Sequence, residues 1–370
     1  MSIRLYSIVL SVSVLGCSTS DDLSSSTDIA SASSASTTGG GSGGSSSSSS
    51  SSSGDGGGAA CVPSVPGPPQ KDAYPFLLAG QHAWSHDDGF TSAWFHTYDA
   101  LDVGGPGSAP HKVHVLLPRG YDACGPGYPV VYMNDGGSAF WPGGAANKTW
   151  NVASSLGELW SAKVIPEIIV VAIEPVDRNL EYSHVLVGPG QSCCQVNAYT
   201  DYVAGAVKGF VDANYHTSPA REDTAIIGSS RGGLASFYMA HRRPDTFGKA
   251  GCLSSSFWAG LDPVFGGDYP GGPLATSALI TTLEGTLNTP AQRPRLWIDW
   301  GLVHTGGIHN EVIEKAAAAR GKEMIGLLEG TYGYKENAEL FWFEDPLGEH
   351  DEVSWGRRFP AVMKALFGKM

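Results

Sequence analysis

Residues 228–232 read Gly-Ser-Ser-Arg-Gly, with Ser230 at the centre of a G-x-S-x-G pattern. The pattern closes an apolar run, Thr224 to Gly228, and is followed at once by a helix-forming stretch from Leu234 to His241. Strand, tight turn and helix is the setting in which such a serine sits on a strained bend with its hydroxyl raised above the sheet. Glycine two residues before and after it lets strand and helix approach closely. The helix dipole behind Ser230 favours a developing oxyanion. The chemistry implied is attack of a serine oxygen on an acyl carbonyl.

A serine hydroxyl is a weak nucleophile until a base takes its proton. In this chain order the base follows the last strand. Of 11 histidines, only His350, in Pro346-Leu-Gly-Glu-His350-Asp-Glu352, lies between a final strand and a closing helix. A carboxylate to orient it is expected at or just after residues 295–300, where Asp299 stands; Glu311 and Glu314 lie further along, on the next helix. Asp299 serves equally as a structural carboxylate, and a histidine can work without an acidic partner. An oxyanion needs two backbone N–H groups. One is expected from Arg231, directly after the nucleophile, and the other from Gly136 or Gly137 in Asn134-Asp-Gly-Gly137. The Arg231 side chain is expected in a structural ion pair, with a substrate anion as the other reading.

These residues need a scaffold. Alternation and apolar runs predict strands over 93–101, 111–117, 128–134 and 167–173, then over 224–228, 249–253, 295–300 and 340–343. Helices are predicted over 198–215, from 234, over 310–329 and over 354–367. Alternating strands and helices imply an α/β fold: a mostly parallel, doubly wound sheet in three layers. Ligands then bind beyond the carboxyl ends of the strands, where Ser230 and the loops after residues 134, 300 and 343 would meet. Residues 260–294, rich in Gly, Pro and Thr, read as an insertion forming a lid or rim.

The 370-residue chain divides in three. Residues 1–16, with Arg4 and an apolar stretch to Leu15, read as an export signal. Val14-Leu-Gly-Cys17 points to a lipid anchor on Cys17. Residues 17–60, nearly all Ser, Gly, Thr, Ala and Asp, have no apolar surface to offset chain entropy and read as a disordered tether reaching roughly 35 Å. Residues 61–370 suffice for one large domain. The net charge of −13 argues against nucleic acid, and against a membrane except through that anchor. Cys61, Cys124, Cys193, Cys194 and Cys252 suit two disulfides and one thiol, without zinc-ligand spacing. The adjacent Cys193 and Cys194 are expected to bond elsewhere, because a vicinal ring is strained.

From about Val113 to Phe367 the chain resembles the Putative esterase family of α/β-hydrolases, which includes ferric-enterobactin esterases, family-one carbohydrate esterases and mycolyltransferases. The resemblance rests on Tyr128-Pro-Val-Val-Tyr-Met-Asn-Asp-Gly136, Arg178-Asn-Leu-Glu-Tyr182 and Gly228-Ser-Ser-Arg-Gly-Gly-Leu-Ala-Ser236. It rests also on Pro244-Asp-Thr-Phe-Gly-Lys249, Ser254-Ser-Ser-Phe-Trp258 and His350-Asp-Glu with Trp355 and Arg358. It implies an acyl-serine mechanism on Ser230 and His350, with no metal and no organic cofactor. The family's usual acid falls three residues after the glycine ending its seventh strand; here that position is His304, so Asp299 and Glu311 stay open. Arg178 is expected either to line the pocket or to pair with Glu181 beneath it, and Trp141 and Trp258 to form an aromatic rim. The expected substrate is an acyl or feruloyl ester on polysaccharide. A siderophore ester, an acyltransferase and a non-catalytic surface-binding module are the alternatives.

Overall fold

The computed structural model describes residues 65–105, 109–144 and 147–368, which fall in one compact unit. The leader and the tether, with Cys17 and Cys61, lie outside the described residues. Among the described residues ten strands form one sheet: β1 (Tyr74–Leu78), β2 (Gln81–His86), β3 (Ala93–Leu101), β4 (His111–Pro118), β5 (Val130–Met133), β6 (Ile169–Ile173), β7 (Thr224–Ser229), β8 (Lys249–Leu253), β9 (Arg295–Gly301) and β10 (Leu340–Asp345). Their order is β1-β2-β3-β4-β6-β5-β7-β8-β9-β10. From β6 to β10 all pairings are parallel, and β1 to β4 add an antiparallel edge that joins β6.

The central strands are buried along their whole length, as strands covered on both faces must be. Successive residues therefore serve two cores. Tyr132, Val171, Ile226 and Leu296 point into one; Val131, Val170, Ile227 and Trp297 point into the other. The α-helices among the described residues are α1 (Val152–Ser161), α2 (Arg178–Glu181), α3 (Val196–Asp201), α4 (Lys208–Asn214), α5 (Arg231–Arg242), α6 (Ala278–Leu287), α7 (Lys315–Gly330) and α8 (Glu352–Phe367). Leu234 and Phe237 of α5 fill the first core, with Leu283 of α6 and Met324 of α7; Val152 and Leu156 of α1 fill the second, with Phe359 and Val362 of α8.

Two expectations need correction, and one element was not foreseen. Residues 260–294 are not simply a rim: Leu279, Ile280, Leu283 and Leu287 on α6 are buried in the first core, and Ser277 caps the helix by accepting from Ile280 N–H at 3.3 Å. The β1–β2 hairpin was not expected. Its two-residue turn, Ala79-Gly80, takes positive φ at both positions (46° and 81°), as a type I′ turn requires. Lastly, Cys193 and Cys194 are bonded to each other rather than elsewhere. Cys124 is also in a disulfide, and the buried Cys252 is a free thiol.

Candidate active site

Ser230 occupies the turn between β7 and α5 with φ 54° and ψ −121°, a conformation that costs an L-residue of order 1–3 kcal/mol. The flanking glycines make it feasible. A Cβ on Gly228 would lie 2.5 Å from the carbonyl of Gly232, and one on Gly232 would lie 2.9 Å from Asp135 Oδ2. The turn is held from three sides. Ser230 N–H donates to Leu253 O at 2.9 Å, Ser256 N–H donates to Ser230 O at 3.0 Å, and Asn134 Nδ2 donates to Gly232 O at 3.1 Å.

His350 comes from the loop between β10 and α8 and is 6% exposed. Its Nε2 lies 2.9 Å from Ser230 Oγ, across 120 residues of sequence. Its backbone N–H donates to Asn310 Oδ1 at 2.9 Å, and its ring packs edge-on against Trp355 with centroids 5.2 Å apart. Nδ1 meets Glu314 Oε2. A carboxylate there fixes the tautomer: Nδ1 carries the proton, and Nε2 is left to accept from the serine.

The carboxylate that contacts His350 is therefore Glu314, not Asp299 or Glu311. Asp299 lies at the carboxyl end of β9, but its oxygens are used by other donors: Trp297 Nε1 at 2.7 Å, Arg358 at 3.0 Å and Ser254 N–H at 3.2 Å. Glu311 accepts from Gly307 N–H at 3.2 Å, and His304, at the family's usual acid position, reaches Gly301 O at 3.2 Å. Glu314 ends a π-helical turn, His309–Glu314, that leads into α7, an irregularity often found at functional sites. Its other oxygen accepts from Gly301 N–H and, at 2.8 Å, from Ser254 Oγ. Burial pushes the Glu314 carboxyl up, but the bonds to His350 and Gly301 and the charge of Arg358 outweigh it and hold it below its ordinary value. At Asp299 burial wins over Arg358, and the carboxyl is raised. Arg358, 3% exposed on α8, joins the parts: it meets Asp299, donates to Ser254 Oγ at 2.8 Å, and lies 3.3 Å from Asp345.

A cavity of about 490 Å³ opens over Ser230 and His350, lined among others by Gly137, Arg178, Asn179, Arg231, Trp258 and Phe265. Gly137 lies in the first turn of a 3-10 helix, Gly136–Ser138, whose leading N–H groups have no intrahelical acceptor; the N–H of Arg231, first residue of α5, is likewise without one. Gly136 itself packs on β6, where a Cβ would come within 2.7 Å of the backbone of Ala172 and Ile173. Arg178 does not pair with Glu181. Its guanidinium grips Asp135 with two 2.7 Å hydrogen bonds, while Glu181 accepts from the N–H groups of Val176 and Asp177. Trp258 lines the cavity and meets Phe265 edge-on at 5.5 Å. Trp141 does not belong to that wall: it packs against Phe95 and His114 beneath the antiparallel edge. Arg231 has no carboxylate partner among the described residues, contrary to the expected ion pair; its guanidinium bonds Asn179 Oδ1 and, at 2.6 Å, Gln191 Oε1. Among the described residues no cluster of His, Cys, Asp and Glu is arranged to hold a metal ion.

A family model described as Putative esterase matches residues 108–366. Uncharacterized protein YbbA of Bacillus subtilis is 28% identical over 154 residues, which span 39% of this chain and 56% of that protein. Among solved structures, a ferulic acid esterase superposes with a TM-score of 0.53 at 16% identity, covering 75% of this chain and 97% of the other. The BES protein from Bacillus cereus gives 0.53 at 13%, with 75% and 97% covered. The siderophore hydrolase EstA from Aspergillus nidulans gives 0.50 at 16%, with 74% and 91% covered. At these identities the likeness is one of fold, and it agrees with the mixed, mostly parallel sheet flanked by helices.

Proposed function

Since this chain belongs to the Putative esterase family, we propose that it is a serine carboxylic ester hydrolase acting through an acyl-enzyme. The observation that carries the reading is the continuous run from Ser230 Oγ and His350, which line the cavity, to Glu314 buried behind them. Ser230 attacks the ester carbonyl as Nε2 of His350 takes its proton. Glu314 holds the resulting imidazolium, and the N–H groups of Arg231 and Gly137 receive the oxyanion. The imidazolium returns the proton to the departing alcohol, and water cleaves the acyl-serine by the same steps.

The substrate we favour is an acyl or aryl ester on polysaccharide. Support comes from the aromatic wall of Trp258 and Phe265 and from the tether-like composition of residues 17–60. The fold is shared with a ferulic acid esterase and with a siderophore hydrolase, so siderophore esters are the second class to try. Fluorophosphonate labelling tests the core of the reading. The label should attach to Ser230 and vanish in Ser230→Ala; an unlabelled wild-type protein would favour the binding module. Feruloylated and acetylated xylan beside p-nitrophenyl acyl esters then sort the substrate, and an added alcohol that captures the acyl group faster than water would mark a transferase. We also infer export and anchoring through Cys17, supported by Val14-Leu-Gly-Cys17. Radiolabelled palmitate should enter the wild-type chain in a bacterial host and fail to enter Cys17→Ala.

A further inference from the structure

Although Asp135, Glu174 and Glu352 also line the cavity, Arg231 in its wall has no carboxylate partner among the described residues. Arg231 is 6% exposed, yet both of its side-chain partners, Asn179 and Gln191, are neutral amides. Burying a guanidinium without an opposing charge is costly, and buried charges are normally paired. The second arginine of the wall, Arg178, does not share this condition, because Asp135 takes its charge in a two-pronged pair. Three of the five N–H donors of Arg231 have no protein acceptor among the described residues, and the residue lines the cavity. Its plane is fixed rather than free. The two amide oxygens hold it from the α2 side, and Phe265 lies against it with the ring centre 5.5 Å from Cζ. Asn179 follows Arg178 on α2, Gln191 sits in the loop after it, and Phe265 belongs to the segment between β8 and α6. Three separate segments thus converge on a residue whose neighbour in sequence is the nucleophile. Burial and the nearby charge of Arg178 draw the Arg231 guanidinium down to about 10, which leaves it cationic at neutral pH.

We propose that Arg231 is a specificity residue that binds a carboxylate carried by the ester substrate, close to the scissile carbonyl. The planar fork of a guanidinium matches a carboxylate with two parallel N–H···O bonds, and each hydrogen bond to a charged group contributes about 1.5–3 kcal/mol. The occupant is then a half-ester of a dicarboxylic acid, or an ester whose alcohol part is an acid. The catalytic form of this inference rests on the esterase reading above; its binding form does not.

Two substrate pairs separate the positions of the carboxylate. Mono-4-nitrophenyl adipate against 4-nitrophenyl hexanoate tests the acyl side, and 4-acetoxybenzoate against phenyl acetate tests the leaving side. Each kcat/KM is divided by the rate of alkaline hydrolysis of the same ester. One pair should favour the anionic member about 10- to 100-fold. That ratio should fall at least tenfold in Arg231→Met and be partly retained in Arg231→Lys, which keeps the charge and loses the fork. A ratio removes any shared effect of the substitution on chemistry, and circular dichroism and Tm certify that each variant is folded. In parallel, calorimetry compares benzoate with benzamide on the wild-type protein, where benzoate should bind at least tenfold more tightly. Ratios near one for both pairs with equal binding of the two benzoyl compounds overturn the proposal and leave the esterase standing. A wild-type preference that Arg231→Met and Arg231→Lys leave unchanged overturns it as well. If no ester is cut, the esterase reading falls, and the benzoate–benzamide comparison alone decides the subsite.

Discussion

Glu314→Gln probes the acid beside His350 with almost no change of shape, and the structure dictates what it should do. Oε2 is the atom that meets Nδ1 of His350, while Oε1 accepts from Gly301 N–H and Ser254 Oγ. An amide must turn its NH2 one way or the other. Facing the histidine, it forces the ring to accept at Nδ1 and carry its proton at Nε2, so the Ser230 proton has no acceptor. Facing Gly301, it sets two buried donors against each other, which costs about 1–3 kcal/mol, and it still offers no charge to the imidazolium. Both orientations damage the same step, and kcat/KM on a p-nitrophenyl ester should drop about 10³- to 10⁴-fold, or ~4–5.5 kcal/mol. Asp299→Asn is the control. It strips a buried charge from Arg358 at 3.0 Å and should cost about 3–5 kcal/mol of stability, while the fraction that folds keeps most of its rate per active site, counted by fluorophosphonate titration. The reasoning is refuted if Glu314→Gln loses less than tenfold, or if Asp299→Asn is inactive per folded molecule at an unchanged Tm.

Three further outcomes can be checked. A Cβ on Gly301 would strike the carbonyl of Gly348, so Gly301→Ala should displace the His350 loop and lower kcat more than tenfold; an unaffected kcat would contradict the close approach. Asn310→Ala removes the acceptor of His350 N–H at 2.9 Å and should lower kcat about tenfold with KM nearly constant, which initial-rate kinetics would show. Acid should weaken the fold well before carboxylates titrate. Burial draws His96 down to about 3 and His241 to about 4, against about 6.5 when unfolded. Between those values the unfolded chain binds more protons, so stability is full above pH ~6.5 and falls as the pH drops, by about 2 kcal/mol per histidine at pH 5. Urea midpoints at pH 7 and pH 5 measure the difference, and equal stabilities would sink the argument.

The sheet was readable because its central strands are short, unbroken apolar runs, and the serine turn because glycine is needed on both sides of Ser230 for steric reasons. His350 followed from chain order. The acid did not, and the physical cause is specific. The carboxylate nearest the end of β9 is claimed by Arg358 from α8, a contact between residues far apart in sequence. The loop 302–308 and the π-helical turn meanwhile place Glu314 13 residues after Gly301, well past the three-residue spacing of the family's usual acid. Glu314 was among the acids named on the next helix, but its burial, with that of Asn310, is visible only in the folded chain. The β1–β2 hairpin escaped because Ala79 stands where Asn or Asp normally announces such a turn. Helix α6 was hidden in a segment whose overall composition resembles a loop, although Leu279, Ile280, Leu283 and Leu287 carry helical spacing.

The groups that complete the reaction centre sit late in the fold: His350 precedes α8, and Arg358 lies within it. A ribosome makes the serine bend 120 residues before it makes the imidazole that lies against that serine. On the esterase proposal, a growing chain stays inert until the segment that carries His350 has been made and packed beside Ser230.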